Sequence, residues 1–233
     1  MSLKDISKIY KDIQKLRIQL SNKNWAAENG RSNATPRVYV DMQDQLEEME
    51  KKLVKTAKDE LKYHPAWTEF MQHVKGIGPT LAAQLIGFID NVERFATPSK
   101  LWKYSGLACI DGKAQKMTKG QSAGYNPRFK ALMYNIGTSF IKSNSPYREI
   151  YDHYKEKYAE QRDWTPKHVH LAALRKMEKI FLAHVWEKWN EALGNTTRKE
   201  YVFEYLGHTT RFRPEDFMTK EEVRKKKFDK LVS

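Results

Sequence analysis

Cysteine is almost missing from this sequence: Cys109 is the single one in 233 residues. That excludes an internal disulfide and any zinc site built on cysteines, and it points to an intracellular setting. No apolar run approaches the ~20 residues needed to span a bilayer, so no membrane partner is expected. The N-terminus alternates Lys and Asp with Ile and lacks the apolar stretch of a secretory signal. The expected location is the cytoplasm, in a prokaryotic or viral setting. Acids are scarce beside bases: 29 Asp and Glu face 42 Lys and Arg, a formal net charge of +13. Such an excess suggests a polyanionic partner, most often nucleic acid, unless it is general surface charge. The charge is segregated. Residues 91–130 hold eight Lys/Arg and two acids (Glu93, Asp111), whereas residues 41–60 hold seven acids and four lysines.

Strand-type alternation is scarce too, and helical periodicity dominates. Residues 3–28 carry Ile6, Ile9, Ile13, Leu16 and Leu20 at heptad-like spacing. A loop over 29–37 ends in Thr35-Pro36, a cap followed by a first-turn proline. The next helix runs to about Tyr63, with Met42, Leu46, Met49, Leu53 and Ala57 on one side. Two seams joined by a loop predict an antiparallel hairpin, self-paired or paired with a second subunit through residues 3–62. Packing as a cap on the core is the alternative. The acids Asp41, Asp44, Glu47 and Glu48 read as a solvated helix face rather than a metal site, and no metal-ligating residues are assigned.

The most informative stretch is 74–89, Val-Lys-Gly-Ile-Gly-Pro-Thr-Leu-Ala-Ala-Gln-Leu-Ile-Gly-Phe-Ile. Residues Ala66 to Val74 read as a short helix with Trp67, Phe70, Met71 and Val74 on one side. A second helix opens at Pro79, so the unit reads as a helix-hairpin-helix. Gly76 and Gly78 permit positive φ and close approach of another chain. Free N–H groups at the hairpin and helix start favour an anion, and Lys75 adds a full charge. Lys75, Gly76, Ile77, Gly78 and Thr80 are therefore expected to grip a DNA backbone. A tight turn between two core helices is the bland alternative.

Further on, Thr97-Pro98 starts a helix that Gly106 stops, and Ile110-Asp111-Gly112-Lys113 is a two-residue hairpin signal. Tyr201–Leu206 is the other candidate strand. Residues 113–130 form a basic loop in which Lys113, Lys116, Lys119, Arg128 and Lys130 offer phosphate contacts, unless they merely solvate it. Gly120 and Gly124 flank Ser122. Asn126-Pro127 restarts a helix with Leu132, Ile136 and Phe140 on its core face. Ser145-Pro146 caps a helix with Tyr147, Tyr151, Tyr154 and Tyr158 at core-packing intervals. Thr165-Pro166 opens a long helix to about Leu193, on which His168 and His170 do not share a face. Arg175 and Lys176 face either DNA or water. Thr219-x-x-Glu222 is a capping box before a basic run, Arg224 to Lys227. The whole is expected to be mainly α: a helical hairpin or coiled coil over 1–64, a helix-hairpin-helix domain over 65–194 with at most a small β-hairpin, and a basic extension over 195–233.

Taken in order, Gly-Ile-Gly-Pro-Thr-Leu-Ala-Ala, Leu-Trp-Lys-Tyr-Ser-Gly-Leu-Ala, the basic loop with Ser122, Arg-Phe-Lys-Ala-Leu-Met-Tyr, Asn-Ser-Pro-Tyr-Arg-Glu-Ile-Tyr and Ala-Leu-Arg-Lys-Met form a specific series. Over about residues 66–190 it resembles the C-terminal transposase domain of the Piv/MooV DNA invertases and related insertion-sequence transposases. The resemblance implies DNA transposition or recombination. It also implies a preceding coiled coil, which the N-terminal heptads match, and a serine nucleophile, for which Ser122 occupies the corresponding place. Family members carry an N-terminal nuclease-like domain with an acidic tetrad that binds divalent metal. No alternating β/α pattern precedes residue 66 here, and no tetrad can be assigned. Magnesium is thus expected only if a separate acidic domain participates, and no other cofactor is evident. An RNA guide is a further partner to consider. The alternative function is a non-catalytic, structure-specific DNA-binding protein of a mobile element or virus. Whether the chain is an enzyme rests on Ser122, beside which the sequence places no general base.

Overall fold

The computed structural model describes residues 2–32, 36–118, 120, 122–196 and 212–218. Thr35, Lys119, Tyr201–Leu206, the Thr219–Glu222 box and the basic run Arg224–Lys227 lie outside them. Among the described residues there are eight α-helices: α1 (Leu3–Glu28), α2 (Pro36–Leu61), α3 (Pro65–Thr68), α4 (Pro79–Ile89), α5 (Pro98–Tyr104), α6 (Pro127–Ser143), α7 (Tyr147–Gln161) and α8 (Pro166–Ala192). One antiparallel pair, β1 (Cys109–Ile110) with β2 (Lys113–Ala114), is the β structure seen among them. The fold is mainly α, as the periodicities predict.

Six of these helices start at a proline, where the missing N–H costs nothing, and in five of them the described residue before it is a polar or glycine cap. At α6 the Asn126 side chain accepts from the N–H groups of Arg128 and Phe129. At α8 Thr165 accepts from His168 N–H. The β-turn residues Asp111 and Gly112 have φ of 50° and 72°, as a two-residue hairpin with a primed turn requires.

α1 and α2 run antiparallel. Ile6 and Tyr10 share a small cleft with Leu53 and Ala57, while Arg17 donates to Glu50 at 2.9 Å. The pair docks on α4: the Ser7 hydroxyl donates to the Ala83 carbonyl at 2.9 Å, and Gly87 lets the backbone of Leu3 and Lys4 approach. Leu3, Ile6, Ala57 and Leu61 belong to the same core as the rest of the chain. Farther out, Ile9, Leu16, Met42 and Met49 are exposed.

α8 is the central pillar. Its stretch from Ile180 to Trp186 is buried on all sides, as an element packed between others must be. Phe181 meets Phe140 edge-on at 4.9 Å, and Phe140 stacks on Tyr147. Each such ring contributes roughly 2–3 kcal/mol through burial. The tyrosines of α7 pack as their spacing predicts: Tyr147 and Tyr151 are buried and bond His184 and His170 of α8.

Two local readings are corrected. Residues 66–74 do not form one helix; α3 ends at Thr68 and a 3₁₀ turn covers Met71–His73. The break lets Phe70 and Met71, adjacent in sequence, both point into the core. The Thr68 carbonyl freed by it accepts from the Gln72 amide at 2.7 Å and lies 3.1 Å from His73 Nε2. Ser145 does not cap α7 with its side chain, and its buried hydroxyl has no partner among the described residues.

Candidate nucleic-acid interface

The turn after Val74 is shaped by packing. Gly76 has φ of 95°, and its carbonyl accepts from Ser139 Oγ of α6 at 2.7 Å. A Cβ there would lie 2.6 Å from Ser143 Oγ and 3.0 Å from Phe140. Gly76 is thus the close contact between hairpin and core. Gly78 differs: it has φ of −93°, caps α4 and has open space around it. Both glycines permit positive φ, and only Gly76 uses it. Ile77 is buried, and its N–H is spent on the Val74 carbonyl.

What the hairpin offers outward is therefore narrower than the motif. No side chain caps α4, and no bond among the described residues uses the N–H of Gly78, Thr80 or Leu81. Lys75 is exposed beside them. An uncapped helix start with an adjacent ammonium favours an anion. Lys75 also borders a cleft of about 400 Å³ with Asn144, Ser145 and Arg148, where Glu149 and Asp152 balance the two bases.

The basic loop sits elsewhere. It enters α6 at Asn126, whereas Gly76 touches α6 at Ser139, so some 17–20 Å of helix separates them. One duplex could span both, but they do not form one pocket. The C-terminal end of the loop is clamped: Asn126 N–H donates to the Tyr104 carbonyl at 2.9 Å, and the Tyr125 ring covers Gly106. Lys130 is turned inward, donating to the Gln115 carbonyl and lying 4.8 Å from the Tyr125 ring centre. Lys113, Lys116 and Arg128 are exposed. Ser122 is exposed and bonds no other described residue, so no base is seen acting on it. Asn126→Ala is expected to cost about 1 kcal/mol through the lost cap, read as a fall in the thermal midpoint.

Under this loop lies a carboxylate that the sequence reading overlooked. Glu178 is buried where Gly137 of α6 has no side chain, and its Oε1 has no partner among the described residues. Burial pushes its carboxyl up to about 7, against the weaker opposing pull of Arg175 and Lys130. Lys130 is correspondingly held below its ordinary value, first by burial and then by Arg175.

Residues 68–152 match the family model described as Transposase IS116/IS110/IS902 family. The matched segment is consistent with a C-terminal transposase domain of that family. The resemblance read from the ordered motifs is thereby shown over this segment, which is about a third of the chain. The transposase segment contains the hairpin, α4, α5, the basic loop with Ser122, α6 and the first turn of α7. It supports a role in DNA transposition or recombination. Neither α1–α2 nor α8 falls inside it. No curated protein and no solved structure matches the chain. Among the described residues, no helix is long and apolar enough to cross a membrane.

Proposed function

We propose that the chain is the DNA-binding part of a transposase or site-specific recombinase and holds the duplex by its backbone. The observation that carries this is the uncapped start of α4, where Gly78, Thr80 and Leu81 N–H groups stand free beside Lys75 within the transposase segment. Lys113, Lys116, Lys119 and Arg128 extend phosphate contacts along the basic loop. Lys130 serves by holding that loop, since its ammonium is engaged within the protein.

In the catalytic form of this reading Ser122 Oγ attacks a phosphodiester, forming a Ser122–phosphate ester as one P–O bond of the strand breaks and a hydroxyl-terminated end leaves. A partner chain would supply the base that takes the serine proton, the acid that protonates the leaving oxygen and any magnesium. The second form is a structure-specific DNA binder with no strand cleavage of its own. The two are separated on branched DNA: a covalent adduct that Ser122→Ala abolishes marks the enzyme, and identical behaviour of parent and variant marks the binder. A second subunit fits the exposed Leu16, Met42 and Met49 of the helical hairpin; a concentration-independent monomer in sedimentation equilibrium removes that part. An RNA guide is tested by the same binding assays with RNA added.

Backbone binding is steeply salt-dependent, because each neutralised phosphate releases counterions. Lys75→Ala is expected to weaken binding to duplexes of any sequence and to reduce the log–log salt slope by about 1. An unchanged slope and affinity would remove the hairpin from the interface.

A further inference from the structure

A cleft of about 730 Å³ lies between α1 and the surface formed by α4 and α6, and Asn126 and Arg128 at the end of the basic loop help to line it. Its α1 wall is a lysine stripe. Lys4, Lys8, Lys11 and Lys15 recur at spacings of 4, 3 and 4, so they share one helix face. Arg94 and Arg128 line the opposite side. Lys4 is paired with Asp90 at 2.8 Å, and Asp12 is the other acid lining the cleft. No ion pair among the described residues engages Lys8, Lys11, Lys15, Arg94 or Arg128. Six cations against two acids leave the cleft short of negative charge.

The floor has a different chemistry. Phe88 of α4 lines it, with its ring stacked parallel on buried Phe129 at 5.3 Å. Gln84, one turn earlier, also lines it, is only 3% exposed, and has an amide oxygen with no partner among the described residues. An acceptor buried in this way costs free energy until a donor reaches it. Lys11 donates to Gln14 Oε1 at 3.5 Å, and burial holds its ammonium below the ordinary value with no anion to compensate.

A row of cations beside an aromatic ring and an open amide is the chemistry that takes an unpaired strand, phosphates outward and bases inward. α1 and α4 converge at Ser7, whose hydroxyl bonds Ala83, so a full duplex does not fit between them. An acidic helix is a poorer occupant. At ~10 Å across, about two turns would fill the whole volume, and its backbone N–H groups are already used. The volume suits about one or two nucleotides.

We infer that this cleft binds an unpaired DNA strand, with phosphates along Lys8, Lys11 and Lys15 and a base on Phe88 that turns an N–H donor of its edge (N3–H in thymine) to the Gln84 amide oxygen. The inference rests on the reading of the chain as a DNA-binding protein and deepens it: the hairpin holds duplex, and the cleft holds a strand separated from it.

The test is anisotropy titration of the full chain with a labelled dT strand of about 12 nucleotides and with a duplex of equal length. The parent is compared with the Lys8→Ala/Lys11→Ala/Lys15→Ala triple variant and with Lys75→Ala. The triple variant is expected to lose about tenfold or more in affinity for the dT strand while holding duplex as before. Lys75→Ala is expected to do the reverse. Phe88→Leu gives a readout independent of charge: the dT strand binds several-fold more weakly, and an abasic strand binds as to the parent. Equal binding of the dT strand by parent and triple variant would overturn the inference. So would tighter binding of a rU strand, or poly-glutamate held through the same lysines in place of DNA. If the parent binds the dT strand through these lysines but holds no duplex, the duplex reading fails and the cleft assignment survives.

Discussion

Gly76→Ala is expected to be the most damaging single change in the hairpin, costing about 2–6 kcal/mol. Two penalties combine. A φ of 95° is strained for any residue with a Cβ, and the new methyl would sit 2.6 Å from Ser143 Oγ and 3.0 Å from Phe140. Backbone strain of this kind costs about 1–3 kcal/mol and overpacking a similar amount. Moving the hairpin to relieve the clash would break the bond from Ser139 to the Gly76 carbonyl. Such a loss is a large fraction of the ~5–15 kcal/mol that holds a typical domain together. Gly78→Ala, two residues away, is expected to change stability by less than ~0.5 kcal/mol, because φ is ordinary and nothing lies within 4 Å. Its methyl would instead project where a phosphate approaches the N–H groups, so DNA affinity should fall while the melting temperature holds. Thermal denaturation of the two variants beside the parent checks both. Equal loss in the two would mean that the hairpin does not rest on α6 through Gly76.

The second large effect is pH-dependent. The folded chain keeps the Glu178 proton up to about pH 7, whereas the unfolded chain releases it near 4.5. Between those values folding takes up a proton, so stability from this group is complete below about 4.5 and is gone above about 7. The shift corresponds to something on the order of 3 kcal/mol. His64 acts in the opposite direction. Burial lowers its imidazole to about 4, so its stability is complete above about 6.5 and is lost as pH falls toward 4. Over the range they share, the two slopes oppose each other, and the parent alone should show only a shallow dependence from this pair. The difference between parent and Glu178→Gln isolates the carboxylate. The variant is expected to melt several degrees higher than the parent at pH 8 and to match it near pH 4.5. A difference that is the same at both pH values would mean that Glu178 is not protonated in the fold.

Much of the architecture is written in local signals. Pro79, Pro98, Pro127 and Pro166 each open a helix where the preceding cap says they should. The Asp111-Gly112 pair makes its turn, and Leu132, Ile136 and Phe140 lie buried on one face of α6. Local signals fail where tertiary packing overrides them. The stretch 66–74 has helical periodicity, yet burying Phe70 and Met71 together outweighs the continuity of one short helix. The candidate sites were legible only in part. Lys75 and the free N–H groups could be anticipated from the motif, but not that Gly76 serves the core while Gly78 serves the surface. Nor could their separation from the basic loop be read, because it depends on the length of α6. The lysine stripe of α1 is visible at positions 4, 8, 11 and 15, but nothing local in the sequence places it across from Arg94 and Arg128. Gln84 and Glu178 are polar residues in apolar helices. A sequence alone does not distinguish a buried one from one at the edge of a face.

The central claim is that the start of α4 holds a phosphate. It is tested most directly by amide NMR of the labelled chain titrated with a short duplex. The account predicts downfield shifts and slowed exchange at the N–H groups of Gly78, Thr80 and Leu81, with little change at Ile77, whose N–H is already bonded. Duplex binding that leaves those three amides unmoved would contradict it.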